Sequence, residues 1–586
     1  MKRITSKRLR ALAGGPWSLR PLRAWPRAID LLIFAAGVAL LYGLVAVGRT
    51  WLGPVRPGIK IVRSPLALPG YAADSLLRIL IAYLLSLGFA LVYGYIAAYN
   101  AVAERLMIPL LDVLQSIPVL SFLPGVMLAM VALFPSRQMG VEFGAILLIF
   151  SGQVWNMAFS FYASLKAIPR EMRETARVYH FNAWQRFRRV ELPSSAIGLV
   201  WNSMMSVAGG WFFLMACEMF VLGDRDFRLP GLGSYLQTAA GAGDTAAILW
   251  GVAVMVAVIV LLDQFLWRPV IAWSEKFKLE EVEGGESSKS WALELFRHSR
   301  LLARLRKKAL APLIENVSMR FAKPRLKKAP EQERFRGMKS WALRALGVAL
   351  LAGASYAVAR AAIMMAGLDR AEVAEIGVGL LATFARVVVA LLIGTAWTIP
   401  VGVAIGFSSR LSRIAQPLAQ IAASVPATAL FPIVLLVLIR LGGGLGIASV
   451  VLMLLGTQWY ILFNVIAGAI AIPSDLKEAA AVFRFGSGAR WRKLILPGIF
   501  PYLTTGLVTA SGGAWNASII AEYFEFKGHI FSTVGLGATI SRATAAGNFD
   551  VLIASTVAMA AVVVAINRLV WRRLYAMAET RYKLEH

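Results

Sequence analysis

Stretches of about twenty apolar residues constrain this chain more than any other feature. A bilayer's hydrocarbon is about 30 Å thick and a helix rises about 1.5 Å per residue, so each stretch is long enough to cross it. Twelve windows meet that test. In the first half they fall near 30–52, 76–99, 107–134, 140–165, 196–222 and 245–267, and in the second near 342–366, 378–407, 414–440, 443–468, 499–522 and 550–571. The expected fold is an all-α polytopic membrane protein with twelve transmembrane helices. Soluble domains carry about 25% charged residues, against 16% here. The first window follows a basic stretch, ends in Arg49-Thr50-Trp51-Leu52 and lacks a small-residue cleavage pattern, so it reads as a span and not as a signal peptide.

The chain carries a net charge of +29, which on a soluble core would suggest a nucleic-acid partner. The positions of the cations argue otherwise. Residues 1–28 hold eight Lys/Arg and no acid, and the linker 268–340 holds eighteen against nine acids. The loops 166–189 and 473–493 and the tail with Arg572, Arg573, Arg581 and Lys583 are also basic, whereas the alternate loops are nearly balanced. With twelve spans all basic segments fall on one side, so the positive-inside rule places both termini in the cytoplasm of an inner (plasma) membrane protein. The charge is then an orientation signal, and membrane lipid, not nucleic acid, is the expected surrounding. The single cysteine, Cys217, excludes an intrachain disulfide, and neither the four histidines nor this cysteine suggests a metal site.

The two halves repeat one another. At an offset of 304, Trp155 matches Trp459, Ile168-Pro169 matches Ile472-Pro473, Glu174 matches Glu478 and Leu192-Pro193 matches Leu496-Pro497. The same offset pairs Trp211 with Trp515, Glu218 with Glu522 and Gly231-Leu232-Gly233 with Gly535-Leu536-Gly537. Upstream the offset is 308, pairing Arg78 with Arg386, Pro109 with Pro417, Ser116 with Ser424 and Pro118 with Pro426. Six spans per half make the repeats parallel, related by an axis along the membrane normal. The expected organisation is a basic N-terminus (1–28), unit 1 (29–270), a charged linker (271–340), unit 2 (341–575) and a tail (576–586). The stretch 291–314 suits either an amphipathic surface helix or a flexible tether.

The loop after the fourth span of each unit is the most informative segment. It reads Ile168-Pro169-Arg-Glu-Met-Arg-Glu174-Thr175-Ala176-Arg-Val-Tyr-His180-Phe-Asn182, then Phe187-Arg-Arg-Val-Glu-Leu192-Pro193. Its counterpart reads Ile472-Pro473-Ser-Asp-Leu-Lys-Glu478-Ala479-Ala480-Ala-Val-Phe-Arg484-Phe-Gly486, then Trp491-Arg-Lys-Leu-Ile-Leu496-Pro497. Proline followed by acids suits a helix start. Ala176, Ala479 and Ala480 are small enough for close approach of a partner, Asn182 and Gly486 can take a left-handed helix end, and a second short helix should lead to the next proline.

This duplicated Glu-Ala-Ala pattern resembles the coupling loop of permease subunits of binding-protein-dependent ABC importers, over roughly 75–270 and 380–575. The resemblance implies a MetI-like fold in each unit, with coupling helices docked on cytoplasmic ATPase subunits. The family's glycine after the second alanine is replaced by His180 and Arg484, and Gly486 is expected to take over its role. No phosphate-binding loop is present (Gly284-Gly285 and Lys289 have the wrong spacing). The implied partners are therefore two separate ATPases, which bind ATP and Mg, and a separate substrate-binding protein. One fused chain per complex is expected, with no catalytic residues and no cofactor of its own. The Ala-Arg-Val of the second span, Ser-x-Pro of the third and Gly-Leu-Gly after the fifth look most like the nitrate/sulfonate/taurine group, which implies a small anion such as a sulfonate, nitrate, bicarbonate or carboxylate.

Charged side chains within spans are costly and mark functional sites. Glu218 and Glu522, with Arg78 and Arg386, are candidates for a gate, a substrate site or a structural pair. The third span carries Pro109, Asp112, Gln115, Ser116, Pro118 and Pro124, and its equivalent Pro417, Gln420, Ser424, Pro426 and Pro432. Backbone broken by proline is tolerated where it lines a cavity or finds a partner. Trp155 and Trp459, flanked by Gln153 and Gln458, and Trp211 and Trp515 complete the pathway candidates. A proton- or ion-coupled secondary transporter would use Glu218 and Glu522 as carriers but leaves the duplicated loop unexplained.

Overall fold

A computed structural model describes residues 60–135, 138–222, 225–277, 290–299, 362–440, 444–526 and 529–581, with isolated positions between 307 and 360. The expected span 30–52, more than half of 342–366, the basic N-terminus and most of the linker lie outside these residues. Unit 1 contains α1 (Leu68–Tyr99), α2 (Ala101–Ser116), α3 (Leu123–Leu133), α4 (Gln138–Lys166), α5 (Arg170–Val178), α6 (Ala183–Glu218), α7 (Leu232–Gly241) and α8 (Thr245–Phe277). After α9 (Trp291–His298), unit 2 repeats the series. Its members are α10 (Arg370–Phe407), α11 (Ser409–Ser424), α12 (Ala427–Arg440), α13 (Leu445–Ala471), α14 (Ser474–Val482), α15 (Ser487–Ala521), α16 (Leu536–Ala546) and α17 (Phe549–Ala578). Eight of these, α1, α4, α6, α8, α10, α13, α15 and α17, are long and apolar enough to cross a membrane among the described residues.

Local chemistry sets the boundaries in the same way in both units. Asn100 ends α1 and caps α2, its Oδ1 accepting from the Val102 and Ala103 amides at 3.0 and 3.2 Å. Ser408 plays the same part for α11. Asp244 and Asn548 cap α8 and α17. These residue types accept the orphan N–H groups of a first turn.

The third span of each unit is not the single helix that its hydropathy predicts. It breaks at Ile117-Pro118 and at Val425-Pro426, and the second pair of segments meets at 80°. A residue before proline is pushed out of helical geometry, and Ile117 and Val425 take extended backbone (ψ 130° and 117°).

Four π turns interrupt the long helices, at Phe187–Glu191 and Asp263–Trp267 and at the equivalent Trp491–Ile495 and Asn567–Trp571. The first of each unit directly precedes Leu192-Pro193 or Leu496-Pro497. A π turn widens the helix by one residue, so the proline, which has no N–H to donate, is carried without a break. The expected short second helix is thus the beginning of α6 or α15.

One hydrophobic core runs through both units, with Trp211 and Trp515 among its largest side chains. The strongest packing is α1 on α4 and α4 on α6, mirrored by α10 on α13 and α13 on α15. Between units, α6 and α8 pack on α11 and α12, and α17 on α2. Two hairpins were not expected from the sequence, β1 (Val221–Leu222) with β2 (Arg225–Asp226) and β3 (Tyr523–Phe526) with β4 (His529–Ser532). They cross over: β1 touches α16 of unit 2, and β3 touches α7 of unit 1.

Candidate functional site

The two loops with the Glu-Ala-Ala pattern fold alike. Helix α5 ends with the Phe181 amide donating to the Ala176 carbonyl and the His180 amide to the Arg177 carbonyl, both at 2.9 Å. In α14 the Phe485 amide donates to Ala480 and the Arg484 amide to Ala481, both at 3.0 Å. This double bond pattern needs one left-handed residue, usually glycine. Here His180 (φ 51°) and Arg484 (φ 48°) supply it. Gly486 (φ −59°) and Asn182 (φ −69°) instead cap the next helix, Asn182 through a reciprocal pair with Gln185, so the expected transfer of the left-handed position to Gly486 does not occur.

Ala176 and Ala480 do not face a partner either. They are buried, 3% and 6% exposed, Ala176 against Leu165, Ile168 and Val190. A larger side chain there would push the loop helix off its own span. The outward faces carry Glu174, Thr175 and Glu478, with Ala479 half-buried. They also carry two apolar pairs that the motif does not mark, Val178-Tyr179 and Val482-Phe483, each residue at least 70% exposed. Arg173 fastens α5 by donating to the Leu165 carbonyl at 2.8 Å. Lys477 fastens α14 differently, lying 4.8 Å from the Phe407 ring, beside Arg490. Burial, then the Arg490 charge, holds the Lys477 ammonium below its ordinary pKa.

At the opposite end of the bundle the buried acids and arginines meet. Arg78 donates to Glu218 at 2.8 Å and to the Pro230 carbonyl at 2.6 Å, and Ser75 donates to Glu218 at 2.7 Å. The other Glu218 oxygen accepts the Gly233 amide at 2.7 Å, at the start of α7. Unit 2 repeats this with Arg386 on Glu522 at 2.8 Å, Thr383 on Glu522 at 2.9 Å and the Gly537 amide on Glu522 at 2.9 Å. Each carboxylate therefore ties its fifth span to the second span and caps the following helix, where the dipole favours negative charge. A Cβ on Gly231 or Gly535 would lie 2.2 Å from the carboxylate, which gives the Gly-Leu-Gly motif its physical reason. Of the readings left open for these four residues, the geometry is that of a structural pair.

Sequence reasoning missed Glu142. It grips Arg78 with two bonds, 2.6 Å to Nε and 2.8 Å to Nη2, and is 2% exposed. A lone acid in a predicted span was the available signal. Its counterpart by the 304 offset is Gly446, and Arg386 turns instead to Thr533 Oγ1 at 2.9 Å.

Between the units lies a cavity of about 620 Å³, walled by Trp201 and Phe212 of α6, Trp459, Tyr460 and Phe463 of α13, and the broken backbone at Val425-Pro426. A smaller lobe of about 120 Å³ occupies the equivalent place in the other unit and is lined by Gln115, Val119 and Trp155. Phe213, Tyr460, Gly513 and Asn516 line both. The break in unit 1 finds a partner across the interface, where the Leu120 amide donates to Asn516 Oδ1 at 3.3 Å. Gln420 lines the large cavity and donates to Asp263 of unit 1 at 3.2 Å. Trp155, Trp459 and Gln115 are thus wall residues, whereas Trp211 and Trp515, 2% and 0% exposed, belong to the core. Ser116 and Ser424 end α2 and α11 at the breaks. Their side chains and that of Asp112 lie outside the described residues.

A family profile described as the inner membrane component of binding-protein-dependent transport systems matches the chain twice, over residues 90–266 and 398–583. Among similar proteins, the nitrate import permease of Synechococcus elongatus is 28% identical over 155 residues, 26% of this chain and 54% of that one. The bicarbonate transport system permease of the same organism is 30% identical over 142 residues, 24% and 50% of the two chains. A putative aliphatic sulfonates transport permease of Bacillus subtilis is 24% identical over 212 residues, 36% and 72% of the two chains. The chain therefore spans about half the length of the first two relatives.

Proposed function

Because this chain belongs to the family of inner membrane components of binding-protein-dependent transport systems, we propose that it supplies both permease units of one ATP-driven importer. The observation that carries the reading is the duplicated loop, folded to the same double-bonded end and exposing the same kind of apolar pair at one end of the bundle. Two separate ATPase subunits, holding ATP and Mg, would each receive one loop around Glu174 or Glu478. A separate binding protein would deliver the solute at the hairpin end. The cation distribution supports a cytoplasmic position for the coupling loops and both termini.

Movement has a direct mechanical route. The second half of each loop and the fifth span are one helix, α6 or α15, so a displaced loop carries its span with it. Both helices wall the cavity, so the same displacement changes access to it. No chemistry on the solute is needed from this chain. Ion pairing of Glu218 and Glu522 supports a structural role for them over proton carriage. Relatives named for nitrate, bicarbonate and aliphatic sulfonates support a small anion as the solute.

The test is reconstitution of the chain in vesicles with its partner ATPase and binding protein. Solute accumulation should require ATP. Glu174→Ala with Glu478→Ala should lower accumulation at least tenfold while the ATPase keeps hydrolysing ATP. Accumulation driven by an ion gradient without any ATPase would overturn the reading.

A further inference from the structure

The cavity between the units has a chemistry of its own. Its volume, about 620 Å³, falls in the range of small-molecule sites, about 300–1,000 Å³. Aromatic rings come from both units, Trp201, Phe212 and Phe213 on one side and Trp459, Tyr460 and Phe463 on the other. Its polar groups are four amides (Gln416, Gln420, Asn464, Asn516), two phenols (Tyr460, Tyr502) and the indoles of Trp201 and Trp459. Among the described residues no Lys, Arg, Asp or Glu lines it. The Tyr460 hydroxyl lies on the wall of both lobes, and the buried Trp155 Nε1 beside the smaller lobe has no hydrogen-bond partner among the described residues.

A nitrate or bicarbonate ion is polar over its whole surface. In this cavity it would exchange water for a wall that is mostly carbon and holds no cation among the described residues. A ring-bearing solute would instead stack on the aromatic walls, and its acceptor oxygens would meet the Tyr460 and Tyr502 hydroxyls and the wall's amides. We propose that the solute handled in this cavity is an organic molecule with a planar ring body, its oxygen acceptors met by neutral donors, and not an inorganic anion. This rests on the permease reading above and narrows its solute class.

The test is equilibrium dialysis of the purified full chain in lipid nanodiscs without ATPase, with labelled benzenesulfonate as the probe and nitrate as competitor. Benzenesulfonate should bind saturably, one per chain, and a hundredfold excess of nitrate should not displace it. Ala467→Trp places bulk at an exposed wall position and should weaken binding at least tenfold. Tyr460→Phe removes only the hydroxyl and should weaken it severalfold, giving a milder variant if the first fails to fold. No saturable benzenesulfonate binding, displacement by nitrate, or binding unchanged in both variants would each overturn the proposal. With no ATPase present, failure of coupling to ATP leaves this result untouched, so the two readings fail separately.

Discussion

His180 and Arg484 hold a backbone conformation that costs a side chain about 1–2 kcal/mol relative to glycine, and both copies of the loop pay that cost. Each should therefore gain stability on replacement by glycine. His180→Gly and Arg484→Gly are expected to stabilise the folded chain by about 1 kcal/mol apiece, allowing for glycine's entropy in the unfolded chain. Thermal unfolding of the purified protein in detergent reads the gain, and a lowered midpoint in either variant would contradict it. The retention of two strained residues at one equivalent position suggests that their side chains, not the backbone, are what the position supplies. Sequence alone located the position by the missing glycine but moved its role to Gly486. The hydrogen bonds from His180 and Arg484 back into the helix show why it could not move, since the left-handed residue must directly follow the helix's capping residue, Tyr179 or Phe483.

At the scale of elements, the two clusters that tie the second span to the fifth are unequal. Among the described residues Arg78 balances Glu142 and Glu218, whereas Arg386 balances Glu522 alone. Removing one partner of a buried pair costs about 3–5 kcal/mol. Arg78→Met should therefore destabilise more than Arg386→Met, because it leaves two carboxylates facing one another. Adding Glu142→Gln to Arg78→Met should recover part of the loss, whereas an equal loss for both arginine variants in thermal unfolding would refute the inequality. Spans, repeats and loops were legible in the sequence because each is written in contiguous residues, as hydropathy windows, a constant offset or a helix-start pattern. The broken third spans were legible as prolines, but a proline does not specify the 80° angle or that the two segments come to lie against α6 and α8. Glu142 escaped because the repeat offers no matching residue. The cavity escaped because its walls come from residues such as Phe212 and Trp459, far apart in sequence and brought together only by the fold.

For the whole molecule, the decisive feature is that one core crosses the boundary between units. The linker therefore joins two parts that already hold each other. A chain opened between residues 300 and 340, with both pieces expressed together, should assemble, and an affinity tag on one piece should retrieve the other through purification. Recovery of separate folded halves would count against it. The hairpins strengthen this hold, since each rests on a helix of the opposite unit. The π turns carry a different consequence. The first of each unit stores one surplus residue between the Glu-Ala-Ala loop and its span. Deleting one residue there, such as Val190, would restore an ordinary helix and swing the loop by about 100° about the helix axis. The spelling of those five residues is thus an angular setting: it fixes which way the loop points, independently of how far it extends.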